Sequence, residues 1–238
     1  MRSGEKRQIL FWSWVIFTFF FFLPGSIFSA SSNLPPSIPQ SGDRFPWVSF
    51  FNLLSPEDQK YLGIGQKKTF NIGEIKAELI LIYFMNTNCI HCIQSLPTFD
   101  EIFKTIEQQA NLKAKVRIVA MGVGDTPTEV ETFKKNYGVP FPILSDREYI
   151  AHKAVGEPRV PFLIIARKDR GGKWIVASAQ VGLVGAMESR SILSTEEEFI
   201  VATVQGGKIF SIEHFIGELE AILATPPENL KYKRDRQS

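Results

Sequence analysis

Two uninterrupted apolar runs, residues 79–84 and 116–123, are too short to be buried helices and carry no polar alternation. They predict strands covered on both faces, as in the middle of a parallel sheet. Between them Leu96, Phe99, Ile102, Phe103 and Ile106 recur at spacings of three and four, which predicts a helix with one apolar face. The order is therefore strand, turn, helix, strand. Thr126-Pro127-Thr128-Glu129 then carries a capping box, with Val130, Phe133 and Tyr137 on one face of the helix it opens. Short strands are expected at 141–144 and 161–166, with a short helix at 149–155 between them. Asp169 to Gly172 turns the chain into a further strand, 174–181. Ser211 caps a last helix on which Ile212, Phe215, Ile216, Leu219, Ile222 and Leu223 form the apolar face.

The ends of the chain are different in kind. Arg2, Lys6 and Arg7 precede an uncharged stretch, residues 9–23, followed by Pro24-Gly25 and small residues. This is the export-signal pattern. A cut after Ala30 places bulky Phe28 at the position that prefers a small side chain, so residues 1–30 read as a cleaved signal peptide or as a retained anchor. The basic end stays cytoplasmic in either case, and the remainder of the chain faces outward, in the periplasm or on the outer face of the membrane. Residues 31–46, rich in Pro and Ser, read as a mobile tether. Residues 47–225 are the expected folded domain, opening with an apolar lead-in and a short helix capped by Ser55 with Pro56 behind it. Residues 226–238 hold Lys231, Lys233, Arg234 and Arg236 and read as a solvated basic tail. Residues 185–207 fit no part of this plan beyond a helix suggested by Ser194 and Glu196 to Glu198.

With 27 basic and 25 acidic side chains, the net charge of +2 shows no nucleic-acid surface, which needs clustered Lys and Arg. The 238 residues contain two cysteines, Cys89 and Cys92, at the junction of the first strand and its helix. Two thiols one helical turn apart can close a small ring without moving the backbone, whereas a structural disulfide gains most by closing a long loop. The pair therefore reads as a dithiol/disulfide redox centre. At a helix N-terminus Cys89 is the expected thiolate and nucleophile, with Cys92 one turn deeper to resolve. His91, between them, is expected to place a donor or a positive charge near the Cys89 sulfur and so to favour the reduced form.

These features resemble the thioredoxin-like superfamily, in particular exported TlpA/ResA-type thiol-disulfide oxidoreductases. The resemblance is carried by the C-x-x-C after a buried strand, Pro97 five residues beyond Cys92, the segment 139–146, and Val160-Pro161 at the start of a strand. It implies an α/β thioredoxin-like fold, a central mixed sheet flanked by helices with an added strand-helix insertion. It further implies that Pro97 kinks the active-site helix, and that Pro161 is cis and lies beside the disulfide, with Val160 offering its backbone to a substrate. Exported proteins bearing thiols or disulfides are the implied substrates, with a membrane protein supplying or accepting electrons and no cofactor beyond the cysteine pair. Two departures stand out: Asn88 where a tryptophan commonly precedes the first cysteine, and Tyr83 where thioredoxins bury a carboxylate.

Other chemistries compete with this reading. A metal centre would use Cys89, His91 and Cys92, but a closed zinc site needs four ligands and the further histidines, His152 and His214, fall on helix-patterned segments. No metal is expected. A peroxiredoxin-like thiol peroxidase would carry Pro and Ser or Thr where Ile82 and Asn86 stand. A redox-inert peptide- or copper-binding module on the same fold is the third reading, against which the intact C-x-x-C argues.

Overall fold

The computed structural model describes residues 37–182, 204–205, 208–209 and 211–229. The expected signal or anchor (1–30), residues 31–36, the helix suggested at 194–198 and the basic residues of the tail lie outside the described residues. Among the described residues no helix is long and apolar enough to cross a membrane.

Five strands build the central sheet: β3 (Leu79–Met85), β4 (Val116–Val123), β5 (Ile143–Asp146), β6 (Phe162–Lys168) and β7 (Trp174–Val181), in the order β5-β4-β3-β6-β7. β3 and β4 are parallel, as are β4 and β5, while β6 runs antiparallel to β3 and to β7. This is a mixed sheet of the thioredoxin-like kind, with β5 as the extra edge strand supplied by the 139–146 segment. All seven side chains of β3 are buried, because both faces of the sheet are covered.

Alternation along β3 sorts the two layers. Leu79, Leu81, Tyr83 and Met85 face a cluster that includes Phe99 and Ile102 from α3 (Leu96–Gln108), Leu112 from α4 (Ala110–Lys115), Val130 and Phe133 from α5 (Pro127–Tyr137), and Phe215, Ile216 and Leu219 from α7 (Ile212–Ala224). Ile80, Ile82 and Phe84 face the other cluster, built from the N-terminal lead-in and from α6 (Ile150–Ala154). That lead-in contains β1 (Ser49–Phe51), the helix α1 (Pro56–Leu62) and β2 (Thr69–Asn71), with β1 and β2 paired antiparallel. Phe50, Leu62, Phe70, Ile72 and Ile75 are among its buried residues. β8 (Val204–Gln205) pairs antiparallel with β9 (Lys208–Ile209).

The tether is shorter than its composition predicts. Gly42 N–H donates to the Val176 carbonyl at 2.8 Å, Val176 N–H to Asp43 at 2.8 Å, and Phe45 N–H to Trp174 at 2.9 Å. Edge strand β7 presents unpaired backbone groups, and residues 42–45 satisfy them while Phe45 buries its ring among the lead-in residues. Pro and Ser content alone does not report such docking, since backbone pairing at an edge needs no apolar run.

Helix ends obey the expected chemistry. Thr126 and Glu129 form the capping box of α5, Ser55 caps α1, and Ser211 caps α7. The short strand expected at 141–144 forms two residues later, at β5, because Pro140 and Pro142 cannot donate to a ladder.

Candidate active site

Strand β3 delivers the chain to the redox turn at the C-terminal end of the parallel strands, where open α/β sheets commonly place their chemistry. Cys89 is the N-cap of α2 (Ile90–Gln94), and its Sγ accepts the Cys92 N–H at 3.3 Å. Cys89 is half-buried and Cys92 fully buried, and both are free thiols. The Cys92 thiol lies within hydrogen-bond reach of Cys89, so the two sulfurs face each other across one turn of helix. Burial, with the hydrogen bond to Cys89 adding to it, pushes the Cys92 thiol up to about 12.

The helix breaks where expected. Pro97 has no N–H for the Ile93 carbonyl four residues earlier, and its ring would strike that carbonyl in a continuous helix. α2 therefore ends at Gln94, Ser95 closes it by donating its N–H to Cys92 O at 3.2 Å, and α3 starts at Leu96. Ser95 is buried, and its Oγ donates to His91 O at 3.0 Å.

A buried carboxylate holds the approach to Cys89. Asp125 accepts hydrogen bonds from Asn86 Nδ2 at 3.0 Å, Thr87 N–H at 2.9 Å and Thr87 Oγ1 at 2.8 Å. Asn86 Nδ2 also donates to Val123 O at 2.9 Å, Asn86 Oδ1 accepts the Asn88 N–H at 2.9 Å, and the Asn86 carbonyl accepts the Cys89 N–H at 3.0 Å. Asn86 N–H in turn faces the Cys92 sulfur. The turn is thus tied to the end of β4 on one side and to the deep thiol on the other. Gly124 lets the chain make this bend: its φ is +76°, and a Cβ there would lie 2.5 Å from the Tyr149 hydroxyl.

Burial raises the Asp125 pKa above the usual carboxylate range, although the Thr87 donors pull the other way. The folded chain then binds that proton more tightly than the unfolded chain. Its contribution to stability is largest below about pH 4 and is lost as pH rises through the raised value. Asp125→Asn should remove this dependence, so that the stability of the wild type relative to the variant declines from about pH 4 upward in denaturant titrations. An amide also sets an NH2 group against the Thr87 donors, and thiol exchange by the variant is expected to slow by roughly tenfold as the turn loosens. A pH-independent difference would contradict the assignment.

Beside the cysteines stands the proline loop. The Val160-Pro161 bond is cis, Pro161 is buried, and the pairing of Phe162 with Phe84 sets Val160-Pro161 level with the redox turn. Val160 packs against the same cluster as Cys89. Pro161 O accepts the Gly182 N–H at 2.9 Å. Arg159 is exposed. His91 departs from expectation: its ring is exposed and Nδ1 lies 3.1 Å from Gln94 Oε1, so the imidazole is spent on a neighbour of its own helix face. The donors that face sulfur are instead the Cys92 and Asn86 backbone N–H groups and the Tyr83 hydroxyl.

The other histidines stand apart from the cysteines. His152 Nε2 pairs with Pro158 O at 2.8 Å, and His214 lies 3.4 Å from Glu218 on the exposed face of α7. Ile82, at one position a peroxidase pattern would need, is buried inside β3, and the Asn86 side chain is committed to Asp125 and Val123. A cleft of about 740 Å³ opens among β1, α1, α5 and β5, with Phe51, Leu53, Ile150, Asp58 and Lys134 in its lining. The redox turn contributes nothing to it.

Asn86, Thr87 and Asp125 are site residues that the sequence pattern does not single out. Their one signal is position, since each stands just past a parallel strand at the end where the two strands converge.

Residues 56–167, which contain the redox turn, α3, the insertion and the cis-proline, match the model of the AhpC/TSA family. Thiol-disulfide oxidoreductase ResA of Geobacillus thermodenitrificans is 31% identical over 104 residues, 43% of this chain and 55% of that protein. ResA of Bacillus subtilis is 30% identical over 81 residues, 34% of this chain and 42% of the other. The chain thus spans about half the length of the curated relatives it matches. The crystal structure of StoA from Bacillus subtilis superposes with a TM-score of 0.40 at 18% identity, covering 50% of this chain and 84% of that one.

Proposed function

We propose that the protein is a thiol-disulfide oxidoreductase of the ResA type that works outside the cytoplasm, exchanging the Cys89-Cys92 dithiol with disulfides of exported proteins. The observation that carries it is the sulfur pair: Cys89 half-exposed at a helix cap, its sulfur accepting the Cys92 N–H and lying within hydrogen-bond reach of the buried Cys92 thiol. Sequence similarity to ResA proteins supports the same chemistry.

The cycle uses only these groups. The Cys89 thiolate attacks one sulfur of a partner disulfide, forming a Cys89-partner bond and releasing the partner's other sulfur as a thiolate. Cys92 then loses its proton and attacks Cys89 Sγ; the Cys89-Cys92 bond forms, the partner's second thiolate leaves, and two electrons have passed to the partner. In reverse the same steps oxidise a dithiol. The groove beside Val160 and Pro161 receives the partner chain. As a reductase in an oxidising compartment the protein takes electrons from a membrane-held dithiol partner, and residues 1–30 keep it at the membrane if they are retained.

Reduction of a disulfide-linked peptide, compared with turnover of hydrogen peroxide under the same dithiol reductant, tests the reading. Peptide reduction without fast peroxide turnover is expected. Fast peroxide turnover would make the protein a peroxidase, and inertness toward both substrates would leave the redox-inert binding module.

A further inference from the structure

Beneath the redox turn lies a hydroxyl to which the exchange cycle gives no role. Tyr83 is fully buried in β3, with its ring tilted against Phe99 at a centroid distance of 4.2 Å. Its hydroxyl lies 3.3 Å from Cys92 O and also within hydrogen-bond reach of the Cys92 sulfur and of Ser95. A phenol has one proton to give. With Cys92 protonated, that proton satisfies the Cys92 carbonyl; with Cys92 ionised, the sulfur becomes the stronger acceptor.

Resting on the proposed exchange activity, we propose that Tyr83 swings its hydroxyl hydrogen bond from the Cys92 carbonyl to the Cys92 sulfur and stabilises the thiolate that carries out the resolving attack. The group acts as a donor throughout. Burial, reinforced by the two cysteines, raises the Tyr83 pKa far above the ordinary phenol value, so it stays neutral and cannot serve as the base. The proton that leaves Cys92 therefore passes to solvent as Cys92 ionises, and the Asn86 N–H supplies the second donor to the resulting thiolate. In the absence of a buried carboxylate in β3, whose side chains are all apolar apart from this hydroxyl, ionisation of the deep thiol depends on these two donors.

A hydrogen bond to an ionised acceptor shifts an equilibrium by about tenfold to a hundredfold. A stabilised thiolate is also a weaker nucleophile, and that gives back about half of the gain on a logarithmic scale. The net acceleration of the resolving step is therefore about three- to tenfold.

The test is Tyr83→Phe in the full chain, reacted in its reduced form with oxidised glutathione, acid-quenched over time and resolved by mass into free thiol, glutathione adduct and internal disulfide. The expected result is an unchanged rate of adduct formation by Cys89, with conversion of the adduct to internal disulfide slowed about three- to tenfold across neutral pH. Adduct formation at the wild-type rate shows in the same experiment that the fold is intact. Wild-type conversion rates in the variant would overturn the proposal. Equal slowing of both steps would also overturn it, since that is the mark of a scaffold residue. If the wild type forms neither adduct nor internal disulfide, the exchange activity itself fails and the proposal falls with it.

Discussion

Cys89→Ser is expected to abolish disulfide exchange, with peptide reduction falling by about three orders of magnitude or more while the protein stays as stable as the wild type. Serine is a poor nucleophile toward sulfur, and the other thiol cannot take over. Cys92 is completely buried, and that burial holds its pKa above the ordinary thiol value, so little of it is thiolate at neutral pH and a partner disulfide cannot reach it. The fold should not register the change. Cys89 Sγ serves as the N-cap acceptor for the Cys92 N–H, and a serine hydroxyl is among the preferred groups for that position. The discriminating measurement is peptide-disulfide reduction alongside thermal unfolding. A variant that keeps more than a tenth of the activity would show that Cys89 is not the attacking sulfur.

Cys92→Ser should have the opposite kinetic signature. Attack by Cys89 remains, but a serine hydroxyl cannot displace the partner, so the Cys89-partner disulfide accumulates and turnover falls by about a hundredfold or more. The site tolerates the substitution. Serine is slightly smaller, and its oxygen meets the Asn86 N–H that now faces the sulfur, while Tyr83 keeps its hydrogen bond to the carbonyl of residue 92. Mass spectrometry should find one partner molecule per chain, linked through Cys89. Unimpeded turnover, or an adduct at no cysteine, would reverse the assignment of the two thiols.

Much of this arrangement is legible in the sequence because it rests on local rules. The β3 and β4 runs, the Thr126 capping box, the Ser211 cap and the break before Pro97 each depend on a few adjacent residues, and each sits where the pattern places it. The cysteines are legible for the same reason: their spacing and their strand-to-helix junction are contained in residues 79–92. The features that escape sequence reading are held together across the chain. Asp125 meets Asn86 and Thr87 over separations of 39 and 38 residues, and nothing in its own neighbourhood announces a ligand for that turn. The docking of residues 42–45 on β7 is likewise a pairing of backbone groups, to which side-chain composition is blind. At His91, proximity in sequence misleads. A helix turns its residues outward by about 100° each, so the side chain between Cys89 and Cys92 points to solvent while those flanking it converge. Tyr83 is legible as a position but not as a function, because only the fold shows its hydroxyl reaching Cys92 beneath the turn.

Exchange depends on the two sulfurs forming and breaking one bond between themselves. Equilibrating the full chain with glutathione buffers of graded potential, then alkylating and weighing it, measures this directly. Both thiols should disappear together in a single two-electron transition, leaving a species lighter by two hydrogens that carries no alkyl group at Cys89 or Cys92. Two thiols that remain alkylatable at every potential, or that are lost only as separate glutathione adducts, would contradict it.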